Sequence, residues 1–165
     1  MTIDLDTVPS AYEGFEAFYR ANADRVYRAL AVTLRSDDLA AEAVAEAMAR
    51  ACARWSTVSR LDSPAGWVFR VGLNWATSWW RKVRRERPPA AEADHPRARP
   101  PDGSTAARSA LANLPEAQRA VITCRVLLDL TTAETAAALR ISEGTVKSRL
   151  SRGLAALRTE LNSED

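Results

Sequence analysis

Between Pro88 and Ser109 the chain places Pro88, Pro89, Pro96, Pro100, Pro101 and Gly103 in a background of alanine, arginine and acids, with no apolar period. Proline locks φ and removes a backbone donor, so a regular helix or strand does not run through such a stretch. The 165 residues would suffice for one ordinary domain or two small ones, and this break selects two. The expected organisation is an acidic tail over 1–10, a first domain over 11–87, a Pro-rich linker over 88–108 and a second domain over 109–162. Each half is short, so its core must be economical.

Hydrophobic residues make up 47% of the chain and charges of both signs are plentiful, a composition that folds into a packed core. No apolar run approaches the roughly 18 residues of a spanning helix, and a start carrying Asp4 and Asp6 is no signal peptide. A cytoplasmic location without membrane insertion is expected. Cys52 and Cys124 lie far apart, and the single histidine, His95, sits among prolines. No metal site, cofactor or disulfide framework is expected from that pattern. Nor do His, Cys, Ser or paired carboxylates cluster in a way that would make an enzyme.

A net charge of +2 predicts no polyanionic partner by itself, but the charges are segregated. Acids from Asp4 to Glu46 dominate the beginning. Arg81, Lys82, Arg84, Arg85 and Arg87 crowd one short stretch, and Lys147, Arg149, Arg152 and Arg158 form a second group near the end. Two separated basic patches point to two contacts with one polyanion.

The first half reads as three helices. Phe15, Phe18, Tyr19, Val26, Leu30 and Leu34 recur every three to four residues, predicting a helix over 12–35. Ser36 with Asp37 and Asp38 supplies an N-cap and dipole-matched charge for a second helix, whose stripe is Ala40, Val44, Ala47, Met48, Ala51, Cys52 and Trp55. Ser63 before Pro64 starts a third, which runs to Arg87. On it fall Trp67, Trp75, Trp79 and Trp80. At about 100° per residue, Trp79 and Trp80 cannot both follow Val68, Val71 and Trp75 inward. Indoles beside Arg70, Asn74, Arg81, Lys82, Arg84 and Arg85 are what a single strand needs: π-faces for bases and cations for phosphates. The same pattern is also that of a core with a solvated helix end.

In the second half, Asn113 to Glu116 opens a helix that Asp129 ends. Thr131-Thr-Ala-Glu134 is a capping box. A short helix to Leu139, the turn Arg140-Ile-Ser142 and a longer helix from Glu143 to about Leu161 make a helix-turn-helix. Val146, Leu150, Leu154, Leu157 and Leu161 are expected inward. Gly144, Thr145, Lys147, Ser148, Arg149, Ser151 and Arg152 are then left to face a major groove, where arginine can bridge guanine O6 and N7.

The run Ile141-Ser-Glu-Gly-Thr-Val-Lys-Ser-Arg-Leu-Ser-Arg152, with Leu114-Pro-Glu-Ala-Gln-Arg119 and Thr132-Ala-Glu-Thr-Ala136 before it, resembles the fourth conserved region of extracytoplasmic-function sigma factors. Pro64-Ala-Gly-Trp-Val-Phe-Arg-Val-Gly-Leu-Asn74 resembles the promoter-melting part of that family's second region. The helix Glu42 to Trp55 is similar to the part that docks on the clamp of the polymerase's largest subunit. Ala45 and Met48 stand where the family usually has glutamine and phenylalanine, Ser78 replaces a frequent acid, and Arg140 a frequent glycine.

The resemblance implies an all-α fold of two small helical domains on a flexible linker, and partners in core RNA polymerase and promoter DNA. An anti-sigma factor is left open, and the free chain is expected to be a monomer. It also assigns residues. Glu143, with the groove-facing positions named above through Arg152, would bind the minus-thirty-five element as duplex. Arg60, Leu61, Asp62, Ser63, Trp67, Arg70, Asn74, Trp79, Trp80, Arg81, Arg84 and Arg85 would hold the minus-ten element as single strand. Glu42, Glu46, Met48 and Arg50 would meet the polymerase. A linker joining two readers raises the effective concentration of the second once the first is bound. Two other readings remain open: a stand-alone dimeric helix-turn-helix regulator, and a sigma-like adaptor that binds polymerase without using promoters.

Overall fold

A computed structural model describes residues 10–86 and 106–163. The expected tail up to residue 9 and the linker from 88 to 105 lie outside the described residues. Among those described, the chain is all-α. The first unit contains α1 (Ser10–Leu34), α2 (Asp37–Ala53), α3 (Trp55–Val58) and α4 (Pro64–Glu86). In the second, α5 (Ala106–Asn113) and α6 (Glu116–Ile122) lead through a π-helical segment, Thr123–Leu127, to α7 (Thr132–Leu139) and α8 (Glu143–Asn162).

In the first unit, α1, α2 and α4 pack on one another. Ala29, Ala40, Ala43, Ala47 and Ala51 are all fully buried, and such small side chains bring the backbones close. Gly72 is required where α4 crosses, because a Cβ there would stand 2.9 Å from Leu30 Cδ1 and 3.3 Å from the Ala43 carbonyl oxygen. Phe69, Leu30, Val26 and Val68 fill the centre, each contributing about 1.5–3 kcal/mol by burial. The Ser36 hydroxyl caps α2, accepting from Leu39 N at 3.2 Å, and Ser63 does the same for α4 through Gly66 N at 3.0 Å.

The structure changes some of the expected details. Trp55 does not continue the α2 stripe: at Arg54 the chain leaves the helix with ψ of 25° and starts α3. The indole is thereby set 5.6 Å from Phe15 and 5.0 Å from Phe18, closing the end of the core. Residues 106–108, expected in the linker, are the first turn of α5. Beyond Leu150 the inward line of α8 passes through Gly153, where a Cβ would collide with Ile122 Cδ1 at 2.6 Å. Leu154 and Leu161, expected inward, are instead 38% and 40% exposed. Leu154 stands about 80° round the helix from Val146, off the line through Leu150 and Gly153, and Leu161 lies in the last turn of the 20-residue helix.

The two units meet. Cys124, Leu128, Leu130 and Ala138 join the cluster built by α1, α2 and α4, while Val121, Ala136 and Val146 form a smaller core of their own.

Candidate nucleic-acid interface

The helix-turn-helix is assembled by local chemistry. Thr131 Oγ1 accepts from Glu134 N at 3.1 Å, and the Glu134 carboxylate accepts from Thr131 N at 2.8 Å, so both halves of the capping box form. Arg140 closes α7 in the left-handed region (φ 56°, ψ 47°). The Ser142 hydroxyl then caps α8, accepting from Thr145 N at 3.1 Å. Only Val146 is fully buried in the first two turns of α8. Glu143, Gly144, Lys147, Ser148, Ser151 and Arg152 are exposed, and Thr145 and Arg149 half-exposed. A Cβ on Gly144 would meet nothing nearer than 3.9 Å, so the helix start is open to close approach.

On α4 the aromatic and basic residues divide by face. Trp67, Trp75 and Trp80 are half-buried, whereas Trp79 is 39% exposed. Trp75 and Trp79 stack, one turn apart, with centroids 6.5 Å apart and planes at 20°. Arg84 lies over the Trp80 ring at 5.3 Å, a cation–π contact. Arg81, Lys82, Arg84 and Arg85 are exposed beyond them, as is Asn74, and Arg70 is half-buried. Before the helix, Arg60, Leu61 and Asp62 are exposed and Ser63 half-buried. These predicted residues therefore lie along one loop and one helix, with flat rings beside exposed cations.

On α2, Glu42 and Arg50 are exposed and Glu46 is half-exposed, paired with Arg50 at 3.0 Å. Met48, expected to meet the polymerase, is 3% exposed and belongs to the core. Two residues along a helix is a rotation of about 200°, so with Arg50 exposed Met48 faces the core.

The α4 and α8 faces are not brought into one patch. Helix α7 stands between them, packing on α4 on one side and on α8 on the other.

Comparison with known proteins places this arrangement. Residues 104–157 match a family model described as sigma-70, region 4. An RNA polymerase sigma-E factor of Streptomyces coelicolor is 34% identical over 158 residues, which cover 92% of this chain and 88% of the relative. The chain belongs to the extracytoplasmic-function sigma factors of the sigma-70 superfamily. The sigma-E factor of Streptomyces antibioticus is 33% identical over 155 residues, covering 92% of this sigma factor and 86% of its own length. The solved structure of the sigma factor RpoE in complex with the anti-sigma factor NepR from Bartonella quintana shares the fold. Its TM-score is 0.74 at 21% identity, over 93% of this chain and 99% of that one.

Sequence reasoning missed the polar residues that join the two units of this sigma factor. Arg119, only 5% exposed, donates from Nε and Nη2 to the Thr33 carbonyl at 3.1 and 3.0 Å, and from Nη1 to the Leu114 carbonyl at 2.7 Å. Burial lowers its pKa, and the like charge of Arg35 adds to the effect. Thr33 and Thr123 share a hydrogen bond of 2.9 Å, and Arg108 pairs with Asp37 at 2.7 Å. One signal was available: Thr33 follows Val26 and Leu30 on the apolar face of α1, so a polar side chain there called for a buried partner.

Proposed function

We propose that this sigma factor confers promoter specificity on bacterial RNA polymerase: it binds core enzyme in the cytoplasm, reads two promoter elements and assists strand opening, without catalysing a reaction itself. The face of α8 carries the reading. The eight predicted positions between Glu143 and Arg152 stand exposed or half-exposed on a capped helix-turn-helix while Val146 anchors it. Arg149 and Arg152 supply bidentate donors for base edges, Lys147 a phosphate contact, and the open helix start a further phosphate site. On α4, Trp79 offers a stacking surface beside Arg81 and Lys82, suited to bases that have left the duplex. Glu42, Glu46 and Arg50 form the charged face that would meet the polymerase. The units 11–87 and 109–162 then act as the minus-ten and minus-thirty-five readers, joined by 88–108. An anti-sigma partner, of the kind that holds the Bartonella protein, belongs to the same reading. None of the described helices is long and apolar enough to cross a membrane.

Run-off transcription with purified core polymerase on a pool of genomic promoters tests the proposal. Transcripts enriched in a shared two-element motif are expected, and free protein should bind the same duplexes weakly, since one small domain makes few phosphate contacts. Core binding without transcription would leave an adaptor, and tight duplex binding by a free dimer would leave a stand-alone regulator.

A further inference from the structure

Helix α4 sets its last tryptophans apart by its own geometry. At about 100° per residue, Trp79 follows Trp75 round the helix with an offset of some 40°, whereas Trp80 is turned about 100° from Trp79. The two adjacent rings consequently meet different company. Trp79 lies nearly parallel to Trp75, with centroids 6.5 Å apart and planes at 20°, an offset stack of the kind that aromatic quadrupoles favour. Trp80 is half-buried and has the Arg84 guanidinium over its ring at 5.3 Å. A cation held on that face competes with any base for it.

Trp75, which carries no DNA contact in the reading above, is half-buried and packs against the main core. One ring of the stacked pair is thus fixed by the core while the other is 39% exposed. An indole that rotates freely loses that freedom when a base stacks on it; a ring already held parallel to a fixed neighbour has less to lose. Lys82, exposed and three residues on, neighbours Trp79 on the helix surface, where it can meet the phosphate of a stacked nucleotide. Trp79 is 16 residues beyond Ser63, roughly 24 Å along α4 at about 1.5 Å per residue. A base on Trp79 is therefore a different one from any held by the loop before α4. At about 3.4 Å per stacked nucleotide, and more when unstacked, the two lie no more than about seven nucleotides apart.

We propose that Trp79 binds one unpaired base of the opened strand as the outer layer of a three-layer pile, with Trp75 innermost as a positioning residue and Trp80 outside the stack. The proposal rests on the promoter-reading function given above and deepens it. Of two adjacent tryptophans only one takes a base, and a third, rooted in the core, sets how firmly that base is held.

The test uses holoenzyme and a single-stranded oligonucleotide copied from the opened region of a promoter found by run-off transcription, with abasic sites placed one at a time. With the unmodified sigma factor, removing one particular base should weaken binding about fivefold or more. In Trp79→Ala the same abasic site should cost less than about twofold, because base and ring form one interaction. In Trp80→Leu, whatever its overall affinity, the cost should stand undiminished. Trp75→Leu keeps an apolar side chain in the core but removes the ring, and should reduce the fivefold cost to about twofold, while Trp75→Phe, which keeps a flat ring, should restore most of it. Urea unfolding accompanies each variant, since a purely structural Trp75 would lower stability in Trp75→Leu and leave the cost of the abasic site at full size. That result, an undiminished cost in Trp79→Ala, or a lost one in Trp80→Leu, would overturn the proposal. If Trp75→Leu does not fold, the Trp79 and Trp80 variants decide, because Trp79 lies largely outside the core and Trp80 is only half-buried. If holoenzyme neither transcribes nor binds the intact oligonucleotide, the promoter-reading function fails and the pile with it. If it does both and no abasic position depends on Trp79, only the pile fails.

Discussion

Arg140 shows how much a single backbone angle decides. It is one of three described non-glycine residues with positive φ, with Arg35 and Asp129, and all three stand where a helix stops. A side chain in the left-handed region costs about 1–2 kcal/mol. At Arg140 the tight turn into α8 requires it, so Arg140→Gly should raise stability by about 1 kcal/mol in urea unfolding, despite glycine's greater freedom in the unfolded chain. A loss of stability would mean that the arginine side chain supports the turn. Cys124 makes a different point. Burial pushes its thiol up to about 12, so the folded state keeps a proton that the unfolded chain releases near 9. More protons bound in the folded state means that stability falls as pH rises through this window. The slope due to this group approaches 1.4 kcal/mol per pH unit. Urea midpoints measured between pH 9 and 11 should therefore decline less steeply in Cys124→Ala, although that variant starts lower because of the cavity. Equal slopes would show that the thiol ionises freely in the folded chain.

In the proposed reading, the helices divide the work between holding and reading. α8 turns Val146 inward and leaves Arg149 and Arg152 outward, so replacing both arginines with alanine should spare the fold and cost duplex capture. At about 1–3 kcal/mol for each good base contact, polymerase recruitment to promoter should fall at least tenfold. α4 is the counterpart: Trp79 is largely outside the core, so Trp79→Ala should leave recruitment nearly unchanged and weaken open-complex formation by about 1–3 kcal/mol. Permanganate reactivity of unpaired thymines separates the two steps, and a pre-melted template should rescue only the tryptophan variant. Failure of both variants at the same step would show that the helices do not divide the task. These helices were legible because their signals are local: a cap, a period, a proline at the start. α3 and α5 were not, since each is short and takes its place from what it packs on, Trp55 against Phe15 and Phe18, and Arg108 against Asp37.

Taken whole, the molecule is two helical units closed on a common apolar surface. The Arg108–Asp37 pair bridges them with side chains one-third and one-quarter exposed, so it is accessible to change without opening either core. Arg108→Glu would set two carboxylates against each other there. The expected result is a larger radius of gyration in scattering, with helix content by circular dichroism unchanged. An unchanged radius would mean that the apolar contact and Arg119 hold the units without this pair.

Periodicity, N-caps and one capping box were sufficient to define the long helices, the helix-turn-helix and the exposed side of the start of α8, because each depends on residues within a turn or two of one another. Leu154 and Leu161 went the other way. Whether an apolar side chain on a helix is buried depends on what lies opposite, and neither the side of α8 that carries Leu154 nor its last turn is covered. The burial of Arg119 on the Thr33 carbonyl joins residues 86 apart in sequence. No local pattern encodes such a contact; it exists only once two independently patterned units have been brought together, and their apolar surfaces set where the polar groups must find partners.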